Sequence, residues 1–340
     1  MSTIAVLTAG GDCPGLNAVV RAVVTRVHAS GGRAVGVLNG WQGLMDGDTR
    51  LMTRDDVRGI LTRGGTILGT SRKDPYVHGQ GLASIQPTIE QDGIDAVVVI
   101  GGDGSLRTAV MLAEEGLRVV GVPKTIDNDI GGTDMTFGFD TAVQIVTDAI
   151  DRLTTTAEAH NRIMVVEVMG RTAGWIATAA GMAGGAEEIL IPEIAYDLED
   201  VAARIVRRHD HGRLYSIVVV AEGVAPPPGA TVPVVVDAFG FERLGGVANV
   251  IGPQLERLTG FETRVTILGH LQRGGTPTAF DRILGTRLGV AAAETALDGG
   301  SGVMVALSGQ SIATVDLAEA CREPRKVPPE RYEEARWFLA

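Results

Sequence analysis

Six short runs of apolar, mostly β-branched residues end in glycine-rich or polar clusters, and this repetition constrains the fold more than any other feature of the chain. The runs are IAVLTAGG (4–11), AVVVIGGDGS (96–105), VVGVPKTIDND (119–129), IMVVEVMGR (163–171), YSIVVVAEG (215–223) and RVTILGHLQRGG (264–275). Their length and composition are typical of buried strands that lead into loops.

Helical patterns lie between these strands. LNAVVRAVVTRV (16–27), LRTAVMLAEEG (106–116) and FDTAVQIVTDAIDRL (139–153) repeat apolar residues at helical spacing. Because strands and helices alternate, the chain is predicted to be an α/β protein with right-handed crossovers. The number of units predicts two doubly wound, Rossmann-like lobes with mostly parallel sheets and an active-site cleft between them.

Composition narrows the classes of function. The chain has 340 residues, 45% of them hydrophobic, and a net charge of −11 from 30 basic and 41 acidic residues. This charge argues against a nucleic-acid or anionic-membrane surface, although clustered arginines could still bind small anions. The cysteines Cys13 and Cys321 form no disulfide framework or zinc spacing, and the N-terminus lacks a targeting pattern, so we expect a cytoplasmic protein.

Two glycine-rich turns follow predicted strands, GGDCPGLN (10–17) and GGDGS (101–105). Such turns let backbone N–H groups and a helix N-terminus meet phosphate oxygens, but each is also explained by a tight strand-to-helix turn. Neither fits the P-loop or dinucleotide fingerprint. Asp103, flanked by two glycines, could reach a hydrated Mg²⁺ or could be an ordinary helix N-cap.

PKTIDND (123–129) places Lys124, Asp127 and Asp129 at the end of an apolar strand. A capped turn would explain any two of these residues. It explains poorly a cation and two carboxylates together at the carboxyl end of a strand, which is where open α/β sheets place ligands.

Seven motifs in order resemble the phosphofructokinase family: GGDCPGLN, RGGTILGTSR (63–72), GGDGS, PKTIDND, VEVMGR, AEG and LGHLQRGG, spanning residues 10 to 275. The resemblance implies a 6-phosphofructokinase that transfers a phosphoryl group to the C1 hydroxyl of fructose 6-phosphate. Three other classes are the alternatives: an NAD or lipid kinase that shares the GGDG turn, a nicotinamide oxidoreductase, and a noncatalytic sugar-phosphate sensor. Such kinases would not need PKTIDND followed by MGR and GHLQRGG, the oxidoreductase would need the missing dinucleotide fingerprint, and a sensor would not need Asp127 with Asp103.

The resemblance also implies site residues. Asp127 would be the general base, Thr125 would position the reacting groups, and Arg171 would stabilise the transferring phosphoryl group. ATP would be bound by Gly11, Arg72, Lys73, Gly102, Asp103, Gly104 and Ser105. Asp103 and Asp129 would organise Mg²⁺, and Trp41 would lie beside the base or in the core.

Fructose 6-phosphate would be bound by Thr125, Ile126, Asp127, Arg162, Met169, Gly170, Arg171, Glu222, Arg264, His270, Leu271, Gln272 and Arg273. Residues 1–138 with about 272–300 would form the donor lobe, and residues 139–271 with about 301–340 the sugar lobe. Arg162 and Arg264, near strand starts, would reach the neighbouring subunit's site. This implies a homo-oligomer, expected to be a tetramer.

Two positions bear on the phosphoryl donor. Pyrophosphate-dependent members carry an aspartate at the position of Gly104, whereas Lys124 resembles the pyrophosphate users, which hold a donor phosphate with it. Some ATP-dependent members pair this lysine with glycine, so Gly104 with Lys124 resembles the mixed ATP/pyrophosphate branch of the family. We expect Gly104 to dominate and ATP to be the donor, with pyrophosphate as the alternative. Strong nucleotide activation is not expected, because Thr25, Thr154 and His211 replace effector-site cations, while Arg21, Arg54 and Arg213 remain and Glu187 fits an effector-site metal contact.

Overall fold

The computed structural model describes residues 1–232, 235–236 and 242–339, with the backbone alone at 235–236 and 242–243. The chain forms two compact units: residues 1–141 with 273–324, and residues 142–272 with 325–339. Part of the long stretch 225–261 lies outside the described residues.

The elements in the first part of the chain alternate as the sequence predicts. They are β1 (Thr3–Ala9), α1 (Leu16–Ala29), β2 (Arg33–Val37), α2 (Trp41–Asp46), β3 (Thr49–Met52), α3 (Pro75–His78), α4 (Gln86–Asp92), β4 (Ala96–Gly101), α5 (Asp103–Glu114) and β5 (Val119–Pro123). A 3₁₀ turn, Gly81–Ser84, precedes α4.

The remaining elements continue the alternation. They are α6 (Phe139–His160), β6 (Ile163–Val168), α7 (Trp175–Ala183), β7 (Glu188–Leu190), α8 (Leu198–Asp210), β8 (Ser216–Ala221), β9 (Val235–Val236), β10 (Glu242–Arg243), α9 (Ala248–Thr259), β11 (Thr263–Ile267), α10 (Ala279–Leu297), β12 (Val303–Ser308), β13 (Ser311–Asp316), α11 (Leu317–Ala320) and α12 (Pro329–Arg336). Gly269–Arg273 forms a second 3₁₀ turn.

The first unit holds a seven-stranded sheet in the order β13-β12-β5-β4-β1-β2-β3. Its five inner strands are parallel, and the edge strands β3 and β13 pair antiparallel. Strands β1, β4 and β5 are buried along their whole length, as their continuous apolar runs require.

The second unit holds a four-stranded parallel sheet in the order β11-β6-β8-β7. Strands β9 and β10 form a separate antiparallel pair. All six predicted strands are present, and the predicted α/β class with mostly parallel sheets is confirmed.

One predicted boundary is wrong. The sequence interpretation assigned residues 301–340 to the second lobe, but residues 301–324 lie in the first unit. The reason is strand pairing: Val303 and Met304 of β12 pair in parallel with Val120 and Gly121 of β5. Of the described residues after 300, only 325–339 belong to the second unit.

The start of α6 is capped by a residue far away in sequence. The carboxylate of Asp281, on α10, is fully buried and accepts hydrogen bonds from Gly138 N (2.9 Å), Thr141 N (2.8 Å) and Thr141 Oγ1 (2.5 Å). It therefore satisfies N–H groups that the first turn of a helix leaves without partners.

We expect Asp281→Ala to lower the free energy of unfolding by about 3 kcal/mol, because buried donors lose their acceptor. Burial raises the pKa of Asp281 to about 6. Because folding raises this pKa, the protonated carboxyl group stabilises the fold fully at pH values below its pKa in the unfolded chain. This stabilisation is lost as the pH rises through the pKa of the folded protein.

Urea unfolding at about pH 4 and about pH 7 measures the pH effect. As the pH rises, the urea concentration at the unfolding midpoint of the unmodified protein should fall relative to that of Asp281→Asn. A difference that does not change with pH would contradict this assignment.

Candidate active site

Three of the predicted site loops meet at one edge of the first sheet. Strands β1, β4 and β5 are parallel neighbours, so the loops that follow them leave from the same edge. These loops carry Gly11, Asp103 and Asp127. The structure therefore brings together the two glycine-rich turns and the acidic cluster.

The loop after β1 is held by its carbonyl groups. Three successive carbonyl oxygens accept from three side chains: Thr70 Oγ1 donates to Gly10 (2.6 Å), Lys124 Nζ to Gly11, and Arg273 Nη1 to Asp12 (3.2 Å). With these carbonyls bound, the peptide units of the turn are fixed in orientation. The sequence singled out Lys124 and Arg273 as ligand contacts and did not predict this role for either.

Arg273 lies in the first unit, with the predicted donor loops. A Cβ added to Gly11 would come 2.8 Å from Arg273 Nη1, so the guanidinium packs directly on the glycine. The expected contact of Arg273 with the 6-phosphate of the sugar stays a prediction.

Lys124 is only 3% exposed, and burial lowers the pKa of its amine. A Cβ added to Gly10 or to Gly102 would lie 3.6 Å or 4.0 Å from its Nζ, so the amine sits between the two glycine-rich loops. Its hydrogen bond to Gly11 O commits part of its bonding capacity to the protein.

The GGDGS loop opens α5. Gly102 is the N-cap residue and Asp103 is the first helical residue. The Asp103 carboxylate accepts from Arg107 Nε at 2.9 Å and 3.0 Å and is 32% exposed. The sequence interpretation did not include Arg107. Its position four residues after Asp103 on a predicted helix is nevertheless the spacing that indicates an ion pair. A Cβ added to Gly104 would meet no atom within 4 Å.

The acidic cluster after β5 is a buried, tightly bonded turn. Thr125, Asp127 and Asp129 are each at most 8% exposed, and Ile126 is fully buried. Thr125 Oγ1 accepts from Asp127 N at 3.0 Å. No helix begins until Phe139, so these residues do not cap a helix, although Thr125 does cap the turn itself.

Two residues that the sequence interpretation did not use lock this turn. Asn128 has φ +53°, and its Oδ1 accepts from Thr136 N at 3.0 Å. Thr136 Oγ1 donates to Thr125 O at 2.7 Å. Rigid support of this kind is what a catalytic carboxylate requires.

The other predicted donor residues divide into two groups. Arg72 is exposed and Lys73 half-buried, in the loop that also carries Thr70. Trp41 is 1% exposed and belongs to the hydrophobic core of the first unit, so the core interpretation of this residue is correct.

In the second unit, the loops after β6, β8 and β11 also leave one sheet edge. Met169 N donates to Gln272 Oε1 (3.2 Å), and Arg171 N donates to Glu222 Oε1 (3.0 Å). The structure thus brings Met169, Gly170, Arg171, Glu222 and Gln272 together, as predicted.

The residues of the GHLQR turn differ in exposure. His270 and Leu271 are exposed, whereas Gln272 is fully buried and also donates through Nε2 to Gly269 O at 3.0 Å. Because both ends of its amide are bound inside the unit, Gln272 supports the Met169 loop and does not offer its side chain to substrate. A contact of fructose 6-phosphate with the backbone of Gln272 stays a prediction.

Arg162 and Arg264 share one carboxylate, Glu262, which the sequence interpretation missed. Arg162 Nε donates to Glu262 Oε2 at 2.7 Å, and Arg264 Nη2 donates to Oε1. The two guanidinium groups lower the pKa of Glu262. Arg162 precedes β6 and Arg264 is the second residue of β11, so both lie at the sheet edge opposite Arg171.

Glu187 does not present a free carboxylate for an effector-site metal. It is buried, accepts from Ile217 N at 2.6 Å and pairs with Arg208. Burial raises the pKa of Glu187. The predicted metal contact is therefore replaced by an internal ion pair.

The geometry agrees with a comparison against families of known proteins: the family model described as phosphofructokinase matches residues 3–296. The chain belongs to the phosphofructokinase family. The resemblance found in the sequence is confirmed, and the NAD or lipid kinase and nicotinamide oxidoreductase interpretations are excluded.

Some relatives of the chain are named for ATP as the phosphoryl donor and others for pyrophosphate. The chain is 54% identical to the pyrophosphate–fructose 6-phosphate 1-phosphotransferase of Amycolatopsis methanolica, over 99% of each chain. It is 50% identical to the ATP-dependent 6-phosphofructokinase of Corynebacterium efficiens, over 97% of this chain and 96% of the relative. The crystal structure of Pichia pastoris phosphofructokinase in the T-state matches with a TM-score of 0.82 and 34% identity, covering 94% of this chain and 35% of that chain.

In the parts of the chain that the structure describes, no helix has the length and apolar character needed to cross a membrane.

Proposed function

We propose that this phosphofructokinase is an ATP-dependent 6-phosphofructokinase. The observation that carries the proposal is the rigid, buried Asp127 turn at the same sheet edge as two glycine-rich loops. The C1 hydroxyl oxygen of fructose 6-phosphate attacks the γ-phosphorus of ATP, and its proton passes to the Asp127 carboxylate. The bond from the γ-phosphorus to the bridging oxygen breaks, giving ADP and fructose 1,6-bisphosphate.

The choice of ATP rests on Gly104. Its Cβ position faces open space at the start of α5, so the protein places no side chain there that would exclude the α-phosphate. Lys124, which would favour pyrophosphate, donates to the Gly11 carbonyl. The relatives at 54% and 50% identity carry different donor names and do not decide the question.

Mg²⁺ fits this site through Asp103. Among the described residues no group of three His, Cys, Asp or Glu side chains could hold a metal. Mg²⁺ on nucleotides keeps several waters and takes only one or two carboxylates, so such a group is not required. The Asp103–Arg107 pair is a surface ion pair, and breaking such a pair so that Asp103 can bind the metal costs about 0–1 kcal/mol. Mg²⁺, with Asp103 and Asp129 as its carboxylates, would neutralise charge on the donor phosphates.

The sugar side of the proposal uses the second unit. Arg171, with Met169 and Gly170, would contact the sugar and the transferring group, and Glu222 would accept from a sugar hydroxyl. A guanidinium matches phosphate oxygens in a bidentate manner, which suits Arg171 to the developing charge. The exposed His270 would approach the 6-phosphate, next to Leu271.

The proposal includes a homo-oligomer, with a tetramer as the expected form. Arg162 and Arg264 lie at the opposite edge of their sheet from Arg171, and six residues of β6 span about 20 Å. An arginine side chain does not cover that distance. The two arginines therefore serve the 6-phosphate of a neighbouring subunit, and Glu262 holds them side by side for it.

Mixed oligomers test this arrangement. Loss of one charge-assisted phosphate contact is worth about 1.5–3 kcal/mol, so Arg264→Ala should raise the KM for fructose 6-phosphate about 10- to 100-fold. At sugar concentrations far below that KM, mixing Arg264→Ala with Asp127→Asn subunits should restore about a quarter of the unmodified activity in a statistically mixed pair. No recovery after subunit exchange has been demonstrated by native mass spectrometry would refute the shared site.

The reaction itself is tested by product identity. The purified protein is incubated with ATP, Mg²⁺ and fructose 6-phosphate in a buffer that matches the proposed cytoplasmic setting. It should form ADP and fructose 1,6-bisphosphate in equal amounts, and phosphorus NMR identifies both products. Binding of fructose 6-phosphate with no turnover from either ATP or pyrophosphate would instead support a sugar-phosphate sensor.

A further inference from the structure

The turn that carries Arg171 has an unfavourable backbone conformation. Ala173 N donates to Gly170 O at 3.0 Å, closing a four-residue turn. Arg171, inside this turn, has φ +53°, a value that residues other than glycine, asparagine and aspartate adopt rarely. Such a conformation persists only where its surroundings determine it.

Glu222 supports one side of this turn through Arg171 N, and Glu193 supports the other. Gly174 N, the first amide after the turn, donates to both carboxylate oxygens of Glu193, at 3.0 Å and 3.1 Å. Gly174 also packs closely: an added Cβ would lie 2.4 Å from Ile191 Cβ and 2.9 Å from Glu193 Oε2. Position 174 therefore has no room for a side chain.

Glu193 is itself held by the C-terminal segment, residues 325–339. Its Oε1 accepts a hydrogen bond from Val327 N at 3.0 Å. Trp175, next to Gly174, donates through Nε1 to Arg325 O at 3.0 Å, and the Arg325 guanidinium lies 4.3 Å from the centre of the Trp175 ring. The segment is thus fastened to the residues on which the Arg171 turn ends.

We propose that Glu193 is a positioning residue for phosphoryl transfer. It fixes the Arg171 turn through Gly174, and the C-terminal segment keeps Glu193 in place. The link to catalysis rests on the proposed role of Arg171. The link to the turn rests on hydrogen bonds alone and does not depend on which reaction the protein catalyses.

Two variants remove the two attachments. Glu193→Gln keeps the size of the side chain but puts an amide N–H₂ where one acceptor stood. Trp175→Phe keeps an aromatic side chain, though a smaller one, and removes the N–H donor. Glu199→Gln is the matched control, since Glu199 is an exposed glutamate of the same unit. Arg171→Asn removes the guanidinium with a residue that tolerates positive φ.

The first readout is hydrogen exchange of the amides of Arg171, Ala173 and Gly174, followed by mass spectrometry. Exchange should become about tenfold faster or more in Glu193→Gln, and faster in Trp175→Phe, while Glu199→Gln exchanges like the unmodified protein. Unchanged exchange in both variants would overturn the proposal. This result holds even if fructose 6-phosphate proves not to be the substrate, so it separates a failure of this inference from a failure of the proposed function.

The second readout is a double-mutant cycle on kcat. Misplacing a catalytic group by about 1 Å reduces turnover by up to about 10²-fold, so Glu193→Gln should lower kcat about tenfold with the KM for ATP nearly unchanged. In the Arg171→Asn background the same change should have almost no further effect, because it acts through a side chain that is already absent. Equal losses in both backgrounds would show a general structural role and overturn the positioning role.

Discussion

Asp127→Asn is expected to lower kcat for phosphorylation of fructose 6-phosphate by roughly 10²-fold or more. The reason is that asparagine cannot accept the proton from the attacking C1 hydroxyl, although it matches aspartate in size. The turn should survive the change, since Asp127 N, Asn128 and Thr136 hold its backbone. Affinity for the sugar phosphate should stay within a few-fold, because the change removes a base and leaves the binding groups.

Steady-state kinetics together with calorimetric binding of fructose 6-phosphate separate these two quantities. Asp298→Asn is the matched control, because Asp298 is an exposed aspartate of the same unit and should leave both quantities unchanged. A near-normal kcat in Asp127→Asn would remove Asp127 as the base. A large loss of binding at preserved kcat would make it a substrate contact.

Gly104→Asp should abolish use of ATP, with a loss in kcat/KM of about 10³-fold or more. Apart from the adjoining residues and backbone of its own helix, no atom of the described residues lies within 4 Å of a Cβ at this position, so the variant should fold normally and the loss should come from the donor. The new carboxylate would face the α-phosphate, and partial desolvation would strengthen the repulsion. Pyrophosphate, which has no α-phosphate followed by a nucleoside, would not be excluded in this way.

Gly104→Asn separates charge from bulk, because asparagine is nearly isosteric with aspartate and neutral. If repulsion dominates, Gly104→Asn should retain much more activity with ATP than Gly104→Asp. Equal activity of Gly104→Asp and the unmodified protein with ATP would show that position 104 does not face the donor.

Most of the fold follows from local sequence pattern. Apolar runs predicted β1, β4, β5, β6 and β8, because a strand buried on both faces needs apolar side chains throughout. Strand β11 was predicted as well, although TRVTI mixes polar and apolar residues and is only partly buried. The pattern did not reveal which sheet a strand joins. Strand β12 was assigned to the wrong lobe because its partner β5 lies about 180 residues earlier, and pairing over such a distance leaves no local signal.

The same limit applies to the candidate site. The motifs predicted the loops that carry Asp127, Asp103 and Arg171, because ligand-facing residues follow strand ends. They did not reveal the supporting residues, such as Glu193, since its partners Gly174 and Val327 lie 19 and 134 residues away. Likewise, the pairing of Lys124 with a backbone carbonyl depends on two loops meeting in space.

The most direct measurement is a side-by-side assay of the unmodified protein on fructose 6-phosphate with ATP–Mg²⁺ and with pyrophosphate–Mg²⁺, comparing kcat/KM for the two donors. We expect efficient turnover with ATP and poor turnover with pyrophosphate, because open space at Gly104 admits the nucleotide while Lys124 is bound to Gly11 O. Efficient turnover with pyrophosphate and none with ATP would contradict this, and would show that Lys124 and not Gly104 governs the choice of donor.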